Sequence, residues 1–166
     1  VGYLAGDFKW AYGVLLTAER AQPGEAEISY FTGLAAYAVG RIAQAEEALT
    51  RAAQANSLPA QQKDLARIGS EIAAFHAGKI PSSQVQAAVH SAVALDRHFL
   101  PATVPAGLIA ERNGDFQGAR GHYEAALKIY PALLIAQRQL ALLLSDKLPD
   151  DAKAYELATR LRAAFQ

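Results

Sequence analysis

The 166-residue chain contains no cysteine and no methionine. Without cysteine, the sequence can form neither disulfides nor thiolate metal sites. Its charges cancel, with 16 lysines and arginines against 16 aspartates and glutamates. Zero net charge argues against nonspecific binding to nucleic acid or to a membrane surface, because both need a basic excess. No apolar run approaches the roughly 20 residues that span a bilayer, so we expect no membrane insertion of this stretch.

Targeting signals are missing as well. The sequence has no basic start followed by an apolar segment and a cleavage site, so we expect no signal peptide in this stretch. Localisation therefore stays open between cytoplasm and periplasm. Because even the first residue is not methionine, we expect the chain to lack its native start and to be a piece of a larger protein.

Known catalytic motifs do not occur in the chain. It has no nucleophile elbow, no phosphate-binding loop and no dinucleotide fingerprint. Two of its histidines, His90 and His98, are eight residues apart, which is further than metal-binding pairs on a helix. We therefore expect no enzyme activity, no cofactor and no metal, and we expect the histidines to be packed or at the surface. His76 should pack within its own pair of helices.

A repeated pattern of small residues runs through the chain instead. The strings Gly6-Asp7-Phe8 and Gly114-Asp115-Phe116 each precede an Ala-rich amphipathic stretch that ends near a proline. One column of apolar residues advances by 34, 40 and 34 positions: Ala11, Ala45, Val85 and Ala119. A second column of small residues lies upstream of each turn: Gly33, Ala73, Gly107 and Ala141. Small residues let two helices approach closely, and a larger residue on the second helix fills the remaining space.

A 34-residue unit of two helices with small residues at these spacings resembles the tetratricopeptide repeat. The resemblance implies an all-α, right-handed superhelix of antiparallel helix pairs, about nine helices in all. It also implies that the first helix of each pair lines a concave surface that binds a peptide or protein partner. We expect the chain to be part of a larger bacterial repeat protein.

The repeats predict one domain over residues 1–166. Its units should be a partial one at about residues 1–25, then residues 26–59, 66–99, 100–133 and 134–166. The long middle step leaves six extra residues, Ala60 to Leu65, and we favour a longer helix that starts just after Pro59. The predicted helices are residues 7–21, 25–39, 42–55, 60–78, 82–97, 101–113, 116–130, 132–145 and 150–165, with no sheet.

Residues at the ends of these helices suit capping. Asp7 and Asp115 can accept backbone N–H bonds at helix starts, and Ser82 or Ser83 can do the same after Pro81. A left-handed backbone at a helix end favours glycine, as at Gly40, Gly78 and Gly114.

The concave surface should carry a mixture of aromatic, apolar and charged side chains. Tyrosine and arginine are common at binding hot spots, so a peptide with apolar side chains and some acidic character would suit it. The Lys/Asn clamp that some tetratricopeptide proteins use for a C-terminal carboxylate is missing at the matching positions, so we expect no binding of chaperone tails. The candidate binding residues are Tyr3, Tyr30, Leu34, Tyr37, Arg67, Leu108, Glu111, Arg138 and Leu142.

Two alternatives stay open. The tyrosines Tyr30 and Tyr37 can simply cover the rim of the core, since apolar atoms at a protein surface are common without any function. A solenoid also exposes apolar helix faces at its ends, so the chain can be a scaffold that forms homo-oligomers through those ends.

Overall fold

The computed structural model describes residues 7–148 and 150–164. Within that part, the chain forms nine α-helices and one short 3-10 helix, with no strand. The helices are α1 (Phe8–Ala21), α2 (Ala26–Ala38), α3 (Ile42–Gln54), α4 (Ala60–His76), α5 (Ser82–Leu95), α6 (Pro105–Arg112), α7 (Phe116–Ile129), α8 (Leu134–Asp146) and α9 (Asp151–Ala164). The 3-10 helix covers Leu100–Thr103. The predicted all-α fold with about nine helices is confirmed.

Most of the predicted helix ends are confirmed by their caps. Asp7 accepts a hydrogen bond from the Trp10 amide at 3.1 Å, and Asp115 accepts one from the Gly118 amide at 2.9 Å. Three glycines that follow helices have positive φ angles, which only glycine adopts without strain: Gly40, Gly78 and Gly114. The prediction of a serine cap at α5 is wrong, because Pro81 occupies the cap position and no side chain bonds the first amides.

Consecutive helices pack as hairpins, which we number one (α2–α3), two (α4–α5), three (α6–α7) and four (α8–α9). Two small residues explain the close approach of the paired helices. A Cβ added to Gly33 would lie 2.5 Å from Leu49 Cγ, and one added to Gly107 would overlap the Tyr123 ring. Leu49 and Tyr123 are both fully buried, so each fills the space that its glycine leaves. The result is a solenoid of antiparallel helix pairs.

Of the predictions for the two irregular parts of the repeat pattern, one is confirmed and one is wrong. The extra residues after Pro59 lengthen the first helix of hairpin two, as predicted, and α4 begins at Ala60. The single predicted helix 101–113 is wrong, because the chain forms a 3-10 turn first and α6 begins only at Pro105. Proline has no N–H to donate and restricts the residue before it, so Pro105 fits the first turn of a helix but not its interior.

The solenoid is strongly curved, so that its later units lie against its first ones. The Phe8 ring at the start of α1 meets the Tyr130 ring at the end of α7, edge-on with centroids 6.4 Å apart. The Tyr130 hydroxyl also donates a hydrogen bond to the His98 carbonyl at 2.6 Å. Helix α2 contacts α8 and the 3-10 helix in addition to its neighbours α1 and α3. Most of α2 is therefore buried and forms the centre of the hydrophobic core.

No helix in the described part of the chain combines the length and the apolar character that a membrane span requires.

Candidate interaction surface

The first helices of the hairpins (α2, α4, α6 and α8) line what we call the inner face of the solenoid. Four of the predicted binding residues are buried there, with at most 7% of each residue exposed: Tyr30, Leu34, Tyr37 and Leu108. Three of them belong to α2, which is packed against α3, α4, α8 and the 3-10 helix as well as α1, and Leu108 belongs to α6. All four side chains lie in the hydrophobic core.

The burial of the two tyrosines has electrostatic consequences. Burial, assisted by the negative charge of Asp96, raises the pKa of Tyr30 to about 12. Burial alone raises the pKa of Tyr37, and the hydroxyl of this residue has no hydrogen-bond partner among the described residues. Both phenols are therefore neutral near pH 7, and neither can act as an acid or base there.

The other predicted residues keep some contact with solvent. Arg67 is exposed and forms an ion pair with Glu71 at 2.7 Å. Glu111 is half-buried and accepts a hydrogen bond from the Tyr123 hydroxyl at 2.8 Å. Arg138 is exposed on α8, and Leu142, one turn further along, is 47% exposed. No described contact joins Arg67 to the residues of α8. The remaining candidate, Tyr3, lies outside the described residues.

Three helices meet at His76, the last residue of α4. The His76 ring stands edge-on to the Tyr37 ring at a centroid distance of 6.1 Å, and its Nε2 atom lies 3.4 Å from Gln139 Nε2 on α8. At the neighbouring residue, the Phe75 carbonyl accepts a hydrogen bond from Arg112 Nη2 of α6 at 2.7 Å. The contacts of His76 thus reach beyond its own helix pair, to hairpins one and four, contrary to the expectation that it packs within that pair.

Two arginines bring positive charge to this junction. Burial is the largest cause that lowers the pKa of His76 from 6.5 to about 4, and the positive charges of Arg112 and Arg138 lower it further. His76 is consequently neutral near pH 7. We call the group of Arg112, Arg138, Gln139 and His76 the arginine patch. Sequence reasoning singled out only Arg138 as a binding residue here, because the patch is formed by the curvature and not by one helix.

A cleft of about 570 Å³ separates α5 from α6 and the start of α7. Its walls are mainly apolar, and Val93, on the α5 side, is 49% exposed. Two histidines, His90 and His122, lie at the same cleft. Direct packing between α5 and α6 is slight, in contrast to the close packing of α3 on α4. The spacing of residues along one helix could not reveal this cleft, because the cleft depends on the start of α6 at Pro105.

No group of three or more histidine, aspartate or glutamate side chains is placed to hold a metal ion in residues 7–148 and 150–164. The acidic side chains with the shortest contacts are engaged in ion pairs, such as Glu124 with Lys153 and Arg120.

Comparisons with known proteins give fold-level matches alone. No protein-family model matches the chain, and no curated protein matches it either. Two crystal structures of MamA match with 21% sequence identity. One match covers 99% of this chain and 92% of the other with a TM-score of 0.47, and the second covers 98% and 86% with a TM-score of 0.46.

Proposed function

We propose that the protein is a non-catalytic interaction module that binds a peptide or protein partner on the open part of its inner face, around α6 and α8. The observation that carries this proposal is the pair Arg138 and Leu142. They lie one helical turn apart on α8, and both are exposed, although most of the apolar residues of this helix are buried. An arginine beside an exposed leucine combines the directional hydrogen bonds and the apolar area that interfaces use.

The curvature limits where such a partner can bind. In hairpin one, at most 5% of Tyr30, Leu34 and Tyr37 is exposed, so these side chains offer little surface to a partner, although Tyr30 and Leu34 line a small pocket of about 290 Å³. The inner side of α8 is still accessible at Arg138 and Leu142. We therefore place the proposed surface on the later hairpins, and the predicted aromatic end of the groove serves stability.

A paired capture experiment tests this surface. Purified protein is used as bait against an extract of its native cells, with R138A/L142A compared with K128A/I129A. The control variant also removes one exposed basic side chain and one exposed aliphatic side chain, but from α7. We expect specific partners to be lost with R138A/L142A and retained with K128A/I129A. Unchanged capture by R138A/L142A would reject the surface.

Self-association is a second candidate, because large side chains are exposed on the first and last described helices. Trp10 and Val14 on α1 are 55% and 46% exposed, and Tyr155 on α9 is 76% exposed. Apolar surface at both ends of a solenoid can join two copies of a chain. Light scattering over a range of concentrations tests this candidate. A mass that rises with concentration, and that W10A/V14S restores to the monomer value, would support it, whereas a constant monomer mass would reject it.

A further inference from the structure

We propose that the arginine patch binds a carboxylate of an acidic peptide segment, while the exposed Leu142 contacts an apolar side chain of the same segment. This inference rests on the proposed function and adds the class of partner. Four observations support it: the charge at the junction, the fixed position of Arg112, an unpaired buried atom of His76, and the neighbouring apolar surface.

The charge at the junction is positive. Arg112 donates to the carbonyl of Phe75, which precedes His76, and Arg138 precedes Gln139, whose amide nitrogen lies 3.4 Å from His76 Nε2. Neither arginine has a carboxylate within ion-pair distance in the described part of the chain. Glu111, which adjoins Arg112, is engaged with the Tyr123 hydroxyl. His76 is neutral and does not add charge of its own. An incoming carboxylate would therefore meet two guanidinium groups, for which it is the complementary partner.

Arg112 is held in place before any ligand arrives. Its guanidinium carbon lies 3.9 Å from the centroid of the Phe75 ring, and one of its nitrogens donates to the Phe75 carbonyl at 2.7 Å. These two contacts fix the plane of the guanidinium group and leave its other N–H groups available. A side chain that is already ordered loses less conformational entropy on binding, so its hydrogen bonds contribute more to affinity.

His76 adds an unpaired polar atom to the cluster. Its Nε2 atom lies 3.4 Å from Gln139 Nε2, and its Nδ1 atom is buried without a hydrogen-bond partner among the described residues. Buried polar atoms nearly always have partners, so this junction keeps unused hydrogen-bonding capacity.

Leu142 extends the patch along α8. It lies four residues after Arg138, which places the two side chains on the same side of the helix, and 47% of it is exposed. A free anion would make no use of this apolar surface, whereas a peptide can place a carboxylate at the arginines and an apolar side chain at Leu142. The arginines would attract both a free phosphate and a carboxylate, but only a peptide would also gain from contact with Leu142.

A selection experiment tests the proposal. A library of random octapeptides with amidated ends is selected on the wild-type protein, on R112Q/R138Q and on the control R162Q, which removes an exposed arginine from α9. We expect wild type and R162Q to select peptides that carry aspartate or glutamate next to an apolar residue. R112Q/R138Q should lose the preference for acidic residues. The resonances of His76 should shift when a selected peptide is added, because its ring lies in the patch.

The possible outcomes separate the two proposals. Peptides that shift His76 but are no more acidic than the library would overturn the carboxylate proposal and keep the binding surface. Selection of no peptide by any variant would overturn both proposals. Inorganic phosphate that displaces a selected peptide at equal concentration would show an anion site without peptide specificity, and would also overturn the proposal. R138Q alone repeats the test with a variant that removes no described hydrogen bond, so a folding defect of R112Q cannot explain the result.

Discussion

The guanidinium group of Arg112 lies over the ring of Phe75, 3.9 Å from its centroid, and donates a hydrogen bond to the carbonyl of that same residue. One side chain thus joins the end of α6 to the end of α4. This contact spans the two hairpins that are least well packed against each other, since α5 and α6 are separated by a cleft. It also orients the positive charge of the arginine patch.

Arg112 and Arg138 should differ in their effects on stability. R112Q removes a hydrogen bond to a backbone carbonyl and a cation–π contact, so we expect it to lower the free energy of unfolding by about 1–2 kcal/mol. R138Q removes an exposed side chain without a described hydrogen bond, so its effect should stay within about 0.5 kcal/mol. Urea unfolding followed by circular dichroism measures both values. Equal losses for the two variants would contradict the structural role of Arg112.

Gly107 provides a test of the packing inside a hairpin. A methyl group at this position would overlap the buried Tyr123 ring, so we expect G107A to lower the free energy of unfolding by about 1–3 kcal/mol. The matched control is G121A in α7, where an added Cβ meets no atom within 4 Å. That control should be more stable than wild type by up to about 1 kcal/mol, because alanine favours a helix over glycine. Destabilisation of similar size in both variants would reject the close approach at Gly107.

Tyr37 and Tyr123, both fully buried, should respond in opposite directions to loss of their hydroxyl groups. The Tyr37 hydroxyl is buried without a described partner, so Y37F should raise the free energy of unfolding by about 1 kcal/mol. The Tyr123 hydroxyl donates to Glu111 at 2.8 Å, so Y123F should lower it by about 1 kcal/mol. Thermal or urea unfolding measures both changes. A loss of stability in Y37F would show that its hydroxyl has a partner in solution.

His76 should make stability depend on pH in a definite direction. Its pKa is about 4 in the folded protein and 6.5 in the unfolded chain, so the unfolded state binds more protons between these values. Stability is therefore lost as the pH falls from 6.5 towards 4, by at most about 3 kcal/mol. The pKa of the Glu124 carboxylate is lowered from 4.5, mainly by its hydrogen bond from Lys153. The stability that this carboxylate provides is therefore lost only as the pH falls below about 4.5.

The control for this effect is H76Q, which keeps a polar side chain but cannot titrate. Between pH 6.5 and 4.5, the free energy of unfolding of H76Q should vary less than that of the wild type. Parallel curves for the two proteins would show that His76 is solvated in the folded state.

Much of the fold is visible in the sequence because its causes are local. Asp7 and Asp115 cap helices through bonds that span three residues, and Gly40 ends a helix through its own φ angle. The small residues Gly33 and Gly107 predict the close helix pairs, since the repeat period assigns each of them a large partner. Such features need no knowledge of the overall shape.

The curvature of the solenoid could not be predicted from the repeated positions of small and apolar residues. It depends on contacts between residues far apart, such as Phe8 with Tyr130, and small changes at each hairpin add up along the solenoid. The interpretation of Tyr37 as an exposed groove residue depended on a regular superhelix, whereas the structure buries it. Gln139 of α8 approaches His76 of α4 for the same reason. The repeat period predicts the helices that carry the candidate site, but not which residues form it.

The most direct test of the proposed carboxylate site is a double-mutant cycle between Arg138 and an acidic residue of a selected peptide. Isothermal titration calorimetry gives the Kd of wild type, R138Q and the control R162Q for the peptide and for its version with amide in place of the acid. The amide version should bind wild type and R162Q about tenfold more weakly, or ~1.4 kcal/mol. In R138Q, which keeps Arg112, the difference between the two peptides should be clearly smaller. An equal loss in all three proteins would contradict the account, because the acid would then be recognised elsewhere.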